Sequence, residues 1–137
     1  MKKKTPVSEI MSKDIISVQE NHTLKQVDKT LKNWHIRHVP VLNNKKVVGM
    51  LSQTDLQKVS FINTIDGDAI TKALYNELTV SQVMTTHVKT VQATDTIRDV
   101  AIELATNEFH ALPVCKGEEV VGIVTSTDLI KYLIDQY

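Results

Sequence analysis

One eight-residue segment occurs twice in the sequence, and this repetition constrains the fold more than any other feature. It reads Gly-Met-Leu-Ser-Gln-Thr-Asp-Leu at 49–56 and Gly-Ile-Val-Thr-Ser-Thr-Asp-Leu at 122–129. The same displacement aligns 7–62 with 80–135 without a gap, and 17 of the 56 aligned pairs are identical. A register that is kept over this length indicates an internal duplication. We therefore expect two copies of one structural unit.

Local patterns predict the order β-α-β-β-α in each copy. Within 24–34, apolar residues recur at spacings of three and four, which predicts one face of a helix. The pair Asn43-Asn44 lies between two apolar runs and predicts a tight hairpin with positive φ. The predicted elements are strands at 15–18, 38–42 and 46–51 with a closing helix at 52–60, then strands at 88–91, 111–115 and 119–124 with helices at 96–107 and 126–135. Leu56 and Val59 are expected to face inward from the first closing helix.

The segment 63–79 joins the two copies, which we place at 7–62 and 80–135. Asp66-Gly67-Asp68 predicts a turn, and Asp68 is suited to cap a helix. That helix is expected to carry Ile70, Ala73 and Leu74 on one face. The alternative is a calcium loop, but the turn lacks the alternating ligands and the terminal Glu of such a loop. We therefore expect a linker helix.

Composition and charge exclude several classes of partner. The 137 residues include 16 basic and 16 acidic side chains, so the formal net charge is zero. Nucleic-acid and membrane surfaces call for a basic excess, and we expect neither as a partner. No apolar run follows Lys2–Lys4 as in a signal peptide, and none approaches the roughly 20 residues that span a bilayer. We expect a cytoplasmic protein in which the single Cys115, aligned with Leu42, is a core residue.

The repeated segment places a hydroxyl and a carboxylate where a strand meets a helix. Ser52 precedes Asp55 by three residues, as Thr125 precedes Asp128. This spacing is close to a capping box, which accounts for the four residues without a ligand.

A second interpretation of the same residues is a binding site. A strand end that runs into a helix start leaves a crevice lined by backbone N–H groups, a hydroxyl and a carboxylate. A carboxylate accepts both hydrogens of a vicinal diol, such as that of ribose. Both copies also keep a threonine before the aspartate, Thr54 and Thr127. Capping and ribose binding both remain open on this pattern.

The two copies together resemble a tandem pair of cystathionine-β-synthase (CBS) domains, the arrangement called a Bateman module. The resemblance covers the chain from Val7 to Ile134. It rests on the segments Val-Ser-x-x-Met at 7–11 and 80–84, the segments before and after the prolines at 37–41 and 110–114, and Gly-x-x-Ser/Thr-x-x-Asp at 49–55 and 122–128.

The resemblance implies an α/β (α+β) fold in which two β-α-β-β-α repeats pack with pseudo-two-fold symmetry. It also implies two clefts that bind an adenosine-containing nucleotide such as AMP, ADP or ATP, with no other cofactor. In one cleft, Ser52 and Asp55 would hold the ribose, Arg37 and His38 would reach phosphates, and Val80, Met84, Ala111 and Leu112 would form the adenine slot. In the other, the corresponding residues would be Thr125 and Asp128, then His110 and Ala111, then Val7, Met11, His38 and Val39.

The two clefts are not expected to be equivalent. Arg37 carries a permanent charge on a planar fork that suits phosphate oxygens. The other cleft has His110 followed by the apolar Ala111. We therefore predict that phosphorylated nucleotides prefer the cleft of Asp55. The alternative is that Arg37 pairs with a surface carboxylate.

Enzymatic and metal-binding functions have little support. The sequence has no Cys–His pairing, no nucleophile elbow and no phosphate-binding Gly-rich loop. His35 and His38 are three residues apart, but a helix ending near Trp34 gives them no common face. Trp34 is interpreted as a core or interface residue at the helix end. We expect a non-enzymatic regulatory module that alters its own assembly or a protein target in trans.

The alternative function is a structural interaction module with empty clefts. The closing helices at 52–60 and 126–135 carry more apolar residues than one face buries, among them Tyr132, Leu133 and Ile134. Both hypotheses therefore predict a homodimer with two-fold symmetry.

Overall fold

The structure is a computed structural model, and it describes residues 4–59, 67–107 and 110–137, with only the backbone at 67 and 68. Within these residues the chain forms six strands, six α-helices and one 3₁₀ turn, a mixed α+β fold. The chain divides into two compact units. The first unit comprises Ile16–Val88, and the second combines Met1–Ile15 with Lys89–Tyr137.

The first unit contains three paired strands flanked by helices. The short β1 runs parallel to β2, and β2 pairs with β3 in an antiparallel hairpin. Its elements are β1 (Val18–Gln19), α1 (Leu24–Trp34), β2 (His38–Asn43), β3 (Lys46–Ser52), α2 (Gln53–Gln57), α3 (Gly67–Glu77) and α4 (Val80–Val83).

The second unit repeats this sheet topology. Here β4 runs parallel to β5, and β5 pairs with β6 in an antiparallel hairpin. Its elements are the 3₁₀ turn (Val7–Glu9), β4 (Val91–Gln92), α5 (Ile97–Thr106), β5 (Ala111–Lys116), β6 (Glu119–Thr125) and α6 (Ser126–Asp135). The predicted order β-α-β-β-α is therefore confirmed in both copies.

Helix α1 shows how the sequence sets the bounds of an element. Thr23 and Gln26 form a capping box at its start, and His35 ends it in the left-handed conformation with φ of 53°. The predicted inward face is buried at Leu24, Val27 and Leu31. Trp34 was predicted to be a core or interface residue; it is 61% exposed, so the core placement is wrong and the interface role stays a prediction. It stands in the last turn of the helix, outside the buried face.

Each hairpin turn contains one residue with positive φ; in the first, predicted at Asn43-Asn44, it is Asn44, and Asn43 belongs to β2. Asn44 and Gly117 occupy aligned positions, and their φ angles are 57° and 65°. Asparagine and glycine are the residues that adopt this left-handed region most readily. Two different residues therefore meet the same backbone requirement in the two copies.

The segment that opens each copy packs into the unit that holds the body of the other copy. Val7 is fully buried in the core of the second unit, and Val80 is fully buried in the core of the first. Backbone hydrogen bonds join Ser12 to Ile123 in one unit and Met50 to Thr85 in the other. The compact units therefore differ from the sequence copies by an exchange of their opening segments.

The helices near the linker differ in detail from the prediction. Helix α2 ends at Gln57, earlier than predicted, although Leu56 is buried as expected. Helix α3 is confirmed and begins at Gly67, and the predicted apolar face is exposed at Ile70 and Ala73. The turn at Asp66, the calcium alternative and the side chain of Asp68 lie outside the described residues.

The structure also describes the apolar length of the helices and the surroundings of Cys115. Among the described residues, no helix has the length and apolarity needed to cross a membrane. Cys115 is a free, buried thiol in β5, as its alignment with Leu42 predicts. Burial raises the pKa of the Cys115 thiol, and a hydrogen bond with the side chain of Thr90 opposes that rise.

Candidate functional site

Strand β3 of the first unit ends directly at the N-terminus of α2, where Ser52 and Asp55 form a capping box. The Ser52 N–H and hydroxyl donate to Asp55 Oδ2 at 2.9 and 3.0 Å, and the Asp55 N–H donates to Ser52 Oγ at 3.2 Å. These bonds fix the carboxylate at the strand end. Both side chains are half-buried.

The second unit builds the same arrangement where β6 meets α6. The Thr125 N–H and hydroxyl donate to Asp128 Oδ2 at 2.8 and 3.1 Å, and the Asp128 N–H donates to Thr125 Oγ1 at 3.3 Å. The distances match those of the first unit within 0.1 Å. The capping interpretation is therefore confirmed in both copies.

Capping leaves part of each carboxylate unengaged. Among the described residues, no donor bonds to Oδ1 of Asp55 or of Asp128. A carboxylate offers about four acceptor positions, and capping uses two of them on Oδ2. Because both aspartates are half-buried, they are neither sealed off nor fully immersed in solvent. Each therefore retains an oxygen that is able to accept hydroxyl hydrogens from a ligand.

The prediction of a crevice lined by free backbone N–H groups is largely wrong. The first helical N–H, that of Gln53, donates to the Arg37 carbonyl at 2.9 Å, and the N–H groups of Ser52 and Asp55 serve the capping box. In the second unit, the Ser126 N–H donates to the His110 carbonyl at 3.1 Å. Within the described part of the chain, the N–H and hydroxyl of Thr54 and of Thr127 remain without such partners.

The same hydrogen bonds bring the residues before each proline to the helix start. In the first unit His38 pairs with Ser52 across the β2–β3 hairpin, and Arg37 precedes it with an exposed side chain. In the second unit Ala111 pairs with Thr125, and the exposed His110 precedes it. Each predicted phosphate segment therefore lies at the carboxylate of its own unit, and only the first unit places an arginine there.

The opening segments place two methionines on the strands that lead to the sites. A Cβ atom built on Gly49 would lie 2.9 Å from Met84 Cγ and 2.9 Å from the Thr85 carbonyl oxygen. Gly122 has the same relation to Met11 and to the Ser12 carbonyl, with distances of 2.8 and 2.9 Å. The structure thus unites Val80 and Met84 with Asp55, and Val7 and Met11 with Asp128, within single units.

The remaining residues assigned to the adenine slots are divided between the units. Ala111 and Leu112 belong to the second unit, whereas Asp55 belongs to the first. His38 and Val39 belong to the first unit, whereas Asp128 belongs to the second. Their contribution to a shared site stays a prediction.

The role of the two glycines was missed at the level of sequence, although a signal was present. Gly49 and Gly122 align with each other, as do Met84 and Met11. Each glycine leaves room for the methionine of the opening segment that reaches its strand. A glycine inside an apolar strand often marks such a close approach.

A metal centre has no support in the described part of the chain. Among those residues, no group of three His, Cys, Asp or Glu side chains is placed to hold an ion. His35 caps the end of α1 and His38 begins β2, so the two belong to different elements.

Comparison with known proteins connects this geometry to a family. The profile of the CBS domain matches residues 7–61 and 80–135. The crystal structure of the CBS domain pair of protein MJ0100, in complex with 5′-methylthioadenosine and S-adenosyl-L-methionine, is 29% identical with a TM-score of 0.77, and the match covers 97% of this chain and 98% of that one. The CBS domain of a membrane protein from Sphaerobacter thermophilus is 27% identical with a TM-score of 0.81, covering 94% and 88%.

A curated relative shows that such repeats also occur in longer proteins. The uncharacterised protein MJ1225 of Methanocaldococcus jannaschii is 26% identical over 129 residues, which is 93% of this chain and 42% of that protein. The chain spans 33% and 25% of the next two curated relatives. The similarity therefore concerns the repeats rather than the whole of these proteins.

Proposed function

The chain belongs to the CBS domain family, and from this premise we propose that it is a regulatory module that senses an adenosine-containing ligand such as AMP or ATP. One observation carries the proposal. In each unit, a half-buried aspartate is fixed at the end of a strand by a capping box and retains an unengaged carboxylate oxygen. Such an oxygen is suited to accept the hydroxyl hydrogens of a ribose.

The ligand class is supported by a second line of evidence. The CBS domain pair of MJ0100 was crystallised with 5′-methylthioadenosine and S-adenosyl-L-methionine, both of which contain adenosine. Met84 and Met11 lie on the strands that lead to the two carboxylates. A flexible thioether side chain next to a site adapts well to the flat face of an adenine ring.

The proposal is tested by titration calorimetry with the two matched variants Asp55→Asn and Asp128→Asn. Asparagine keeps one acceptor oxygen for the capping bond but loses the charge. Charge-assisted hydrogen bonds contribute about 1.5–3 kcal/mol, so we expect affinity for AMP or ATP to fall about 10- to 100-fold at an occupied site. Unchanged affinity in both variants would refute the proposal.

The ligand is identified by a thermal-shift panel of AMP, ADP, ATP, NAD, S-adenosylmethionine and cyclic di-AMP. A ligand at 100 times its dissociation constant stabilises the folded state by about 2.7 kcal/mol. We expect at least one member of the panel to raise the melting temperature. That rise should shrink in the variant whose site the ligand occupies.

The site of the first unit is proposed to prefer phosphorylated ligands. Arg37 is exposed, and among the described residues it forms no ion pair with a carboxylate, whereas the aligned position holds His110. The variant Arg37→Ala should weaken the binding of ATP more than that of adenosine, because adenosine has no phosphate for Arg37 to contact. Arg98→Ala removes the same charge from the exposed face of α5 and serves as the control. Equal losses for ATP and adenosine would exclude phosphate binding by Arg37.

A structural interaction module is a second candidate, and one observation favours it. Helix α6 buries none of its residues, and Ile130, Leu133 and Ile134 are 57%, 46% and 64% exposed. An exposed apolar group of this kind is typical of an interface between copies of a chain. Both candidates therefore include a homodimer, which Leu133→Glu should dissociate in light scattering. A dimer that gives a flat thermal-shift panel would favour the structural role.

A further inference from the structure

A groove between α1 and α3 lies apart from both carboxylate sites. Its volume is about 590 Å³, and residues of the first unit line it throughout. Helix α1 contributes Lys25, Asp28 and Lys32, and helix α3 contributes Thr71, Lys72, Tyr75 and Asn76. The Leu24 N–H donates to the Leu78 carbonyl at 3.1 Å, which joins the start of α1 to the residue just beyond α3. The two helices therefore run antiparallel along the groove.

The charge of the groove is positive. Three lysines stand against the single carboxylate of Asp28, which pairs with Lys32 at 3.0 Å. Among the described residues, no carboxylate pairs with Lys25 or with Lys72, and both side chains are exposed. Two cations, one on each wall, are thus available to a ligand.

The α3 wall of the groove is polar, and its tyrosine is held in place. The Tyr75 hydroxyl donates to the Leu56 carbonyl at 2.9 Å, so this ring is held in place by a bond within the unit. Asn76 offers an amide beside it. A ligand of the groove would therefore meet one fixed aromatic side chain and two exposed lysine side chains.

We propose that this groove binds an acidic peptide segment of a partner protein. Successive side chains of an extended peptide point to opposite sides, so carboxylates of neighbouring residues would reach Lys25 on the α1 wall and Lys72 on the α3 wall. Lysine ammonium groups act as point charges and suit such separated carboxylates, whereas paired phosphate oxygens favour the fork of arginine.

The second copy does not reproduce the groove. The residues aligned with Asp28 and Lys32 are Ala101 and Ala105, and α3 lies in the linker, which the duplication does not repeat. The groove is therefore a property of one unit. The two carboxylate sites are similar, whereas this groove occurs once. An acidic segment that binds there would therefore mark one surface of the module as the contact with a partner.

The test is fluorescence anisotropy with a fluorescein-labelled hexaglutamate peptide in 50 mM and 200 mM salt. The double variant Lys25→Glu/Lys72→Glu reverses one positive charge on each wall of the groove. The control Lys29→Glu/Lys58→Glu makes the same change in net charge at exposed positions of the same unit outside the groove. An exposed ion pair corresponds to about a 1.4- to 5-fold change in affinity, so we expect about tenfold weaker binding for the groove variant and less than about twofold for the control.

Three results would overturn the proposal. They are equal weakening in the two double variants, no binding of the peptide to the natural chain in 50 mM salt, and displacement of the peptide by tripolyphosphate at lower concentration than by unlabelled hexaglutamate. The last result would assign the groove to small phosphate compounds. Asp55→Asn should bind the peptide as the natural chain does, so the outcome is independent of the nucleotide site. Melting curves of all variants establish that each is folded.

Discussion

The substitution Gly49→Ala tests how the opening segment of the second copy is seated in the first unit. Gly49 lies in β3, and the next residue, Met50, exchanges two backbone hydrogen bonds with Thr85 at 3.0 and 2.9 Å. A Cβ atom at position 49 would lie 2.9 Å from the Thr85 carbonyl oxygen and 2.9 Å from Met84 Cγ. Side-chain movement relieves the contact with Met84, but only a backbone shift relieves the contact with Thr85.

The expected magnitude follows from these contacts. In an open strand, replacing glycine by alanine stabilises a protein by about 0.4–1 kcal/mol because the unfolded chain becomes less flexible. Overpacking of a close contact costs about 1–3 kcal/mol, and the shift also strains two backbone bonds. The clash dominates, so we expect the free energy of unfolding to fall by about 1–3 kcal/mol.

Urea denaturation followed by circular dichroism measures this change. Gly117→Ala is the control, because nothing lies within 4 Å of the added Cβ and its φ of 65° produces only backbone strain. Adding Met84→Ala should recover part of the loss at position 49 and none at position 117. A Gly49→Ala variant as stable as the natural chain would refute the packing of Met84 and Thr85 on β3.

Three further predictions concern single contacts. Ser52→Ala removes the N-cap hydroxyl and should cost about 0.5–2 kcal/mol of stability, whereas the exposed Thr54→Ala should cost less than about 0.5 kcal/mol in the same denaturation assay. His22→Ala should cost about 0.5–1.5 kcal/mol because the Gln19 N–H donates to His22 Nδ1 at 3.2 Å. His22→Asp should keep this stability, because Asp95, which aligns with His22, accepts the corresponding bond from the Gln92 N–H at 2.9 Å. Equal losses of stability in the two His22 variants would contradict this prediction. Burial raises the pKa of Cys115, so iodoacetamide should alkylate this thiol only after unfolding, as measured by mass spectrometry.

Much of the fold was predictable because the internal duplication presents each local pattern twice. Helix α6 has its predicted bounds, Ser126–Asp135, and Asn44 of the predicted Asn43-Asn44 turn has the positive φ that was expected there. The capping boxes followed from spacing alone, since a hydroxyl and a carboxylate three residues apart satisfy each other's backbone donors. Local chemistry of this kind is carried by neighbouring residues and is readable in one sequence.

Other features depend on contacts between distant segments and could not be predicted in this way. The residues around Val7 do not show locally which core it enters, and only the family resemblance placed Val7 with Asp128. Ile70 and Ala73 have helical spacing with Leu74, yet α3 exposes them because its other side packs against α1. The sequence predicted free N–H groups at the start of α2. The Gln53 N–H is not free, because the Arg37 carbonyl, which lies just before β2, accepts its hydrogen bond.

The central claim is that Asp55 or Asp128 accepts the hydroxyl hydrogens of a ribose. The most direct test compares the affinities of AMP and 2′-deoxy-AMP by titration calorimetry, on the natural chain and on the aspartate variants. If the diol is recognised, AMP should bind about tenfold or more tightly than the deoxy compound, and Asp→Asn at the occupied site should remove most of that difference. Equal affinities of the natural chain for the two nucleotides would contradict the account.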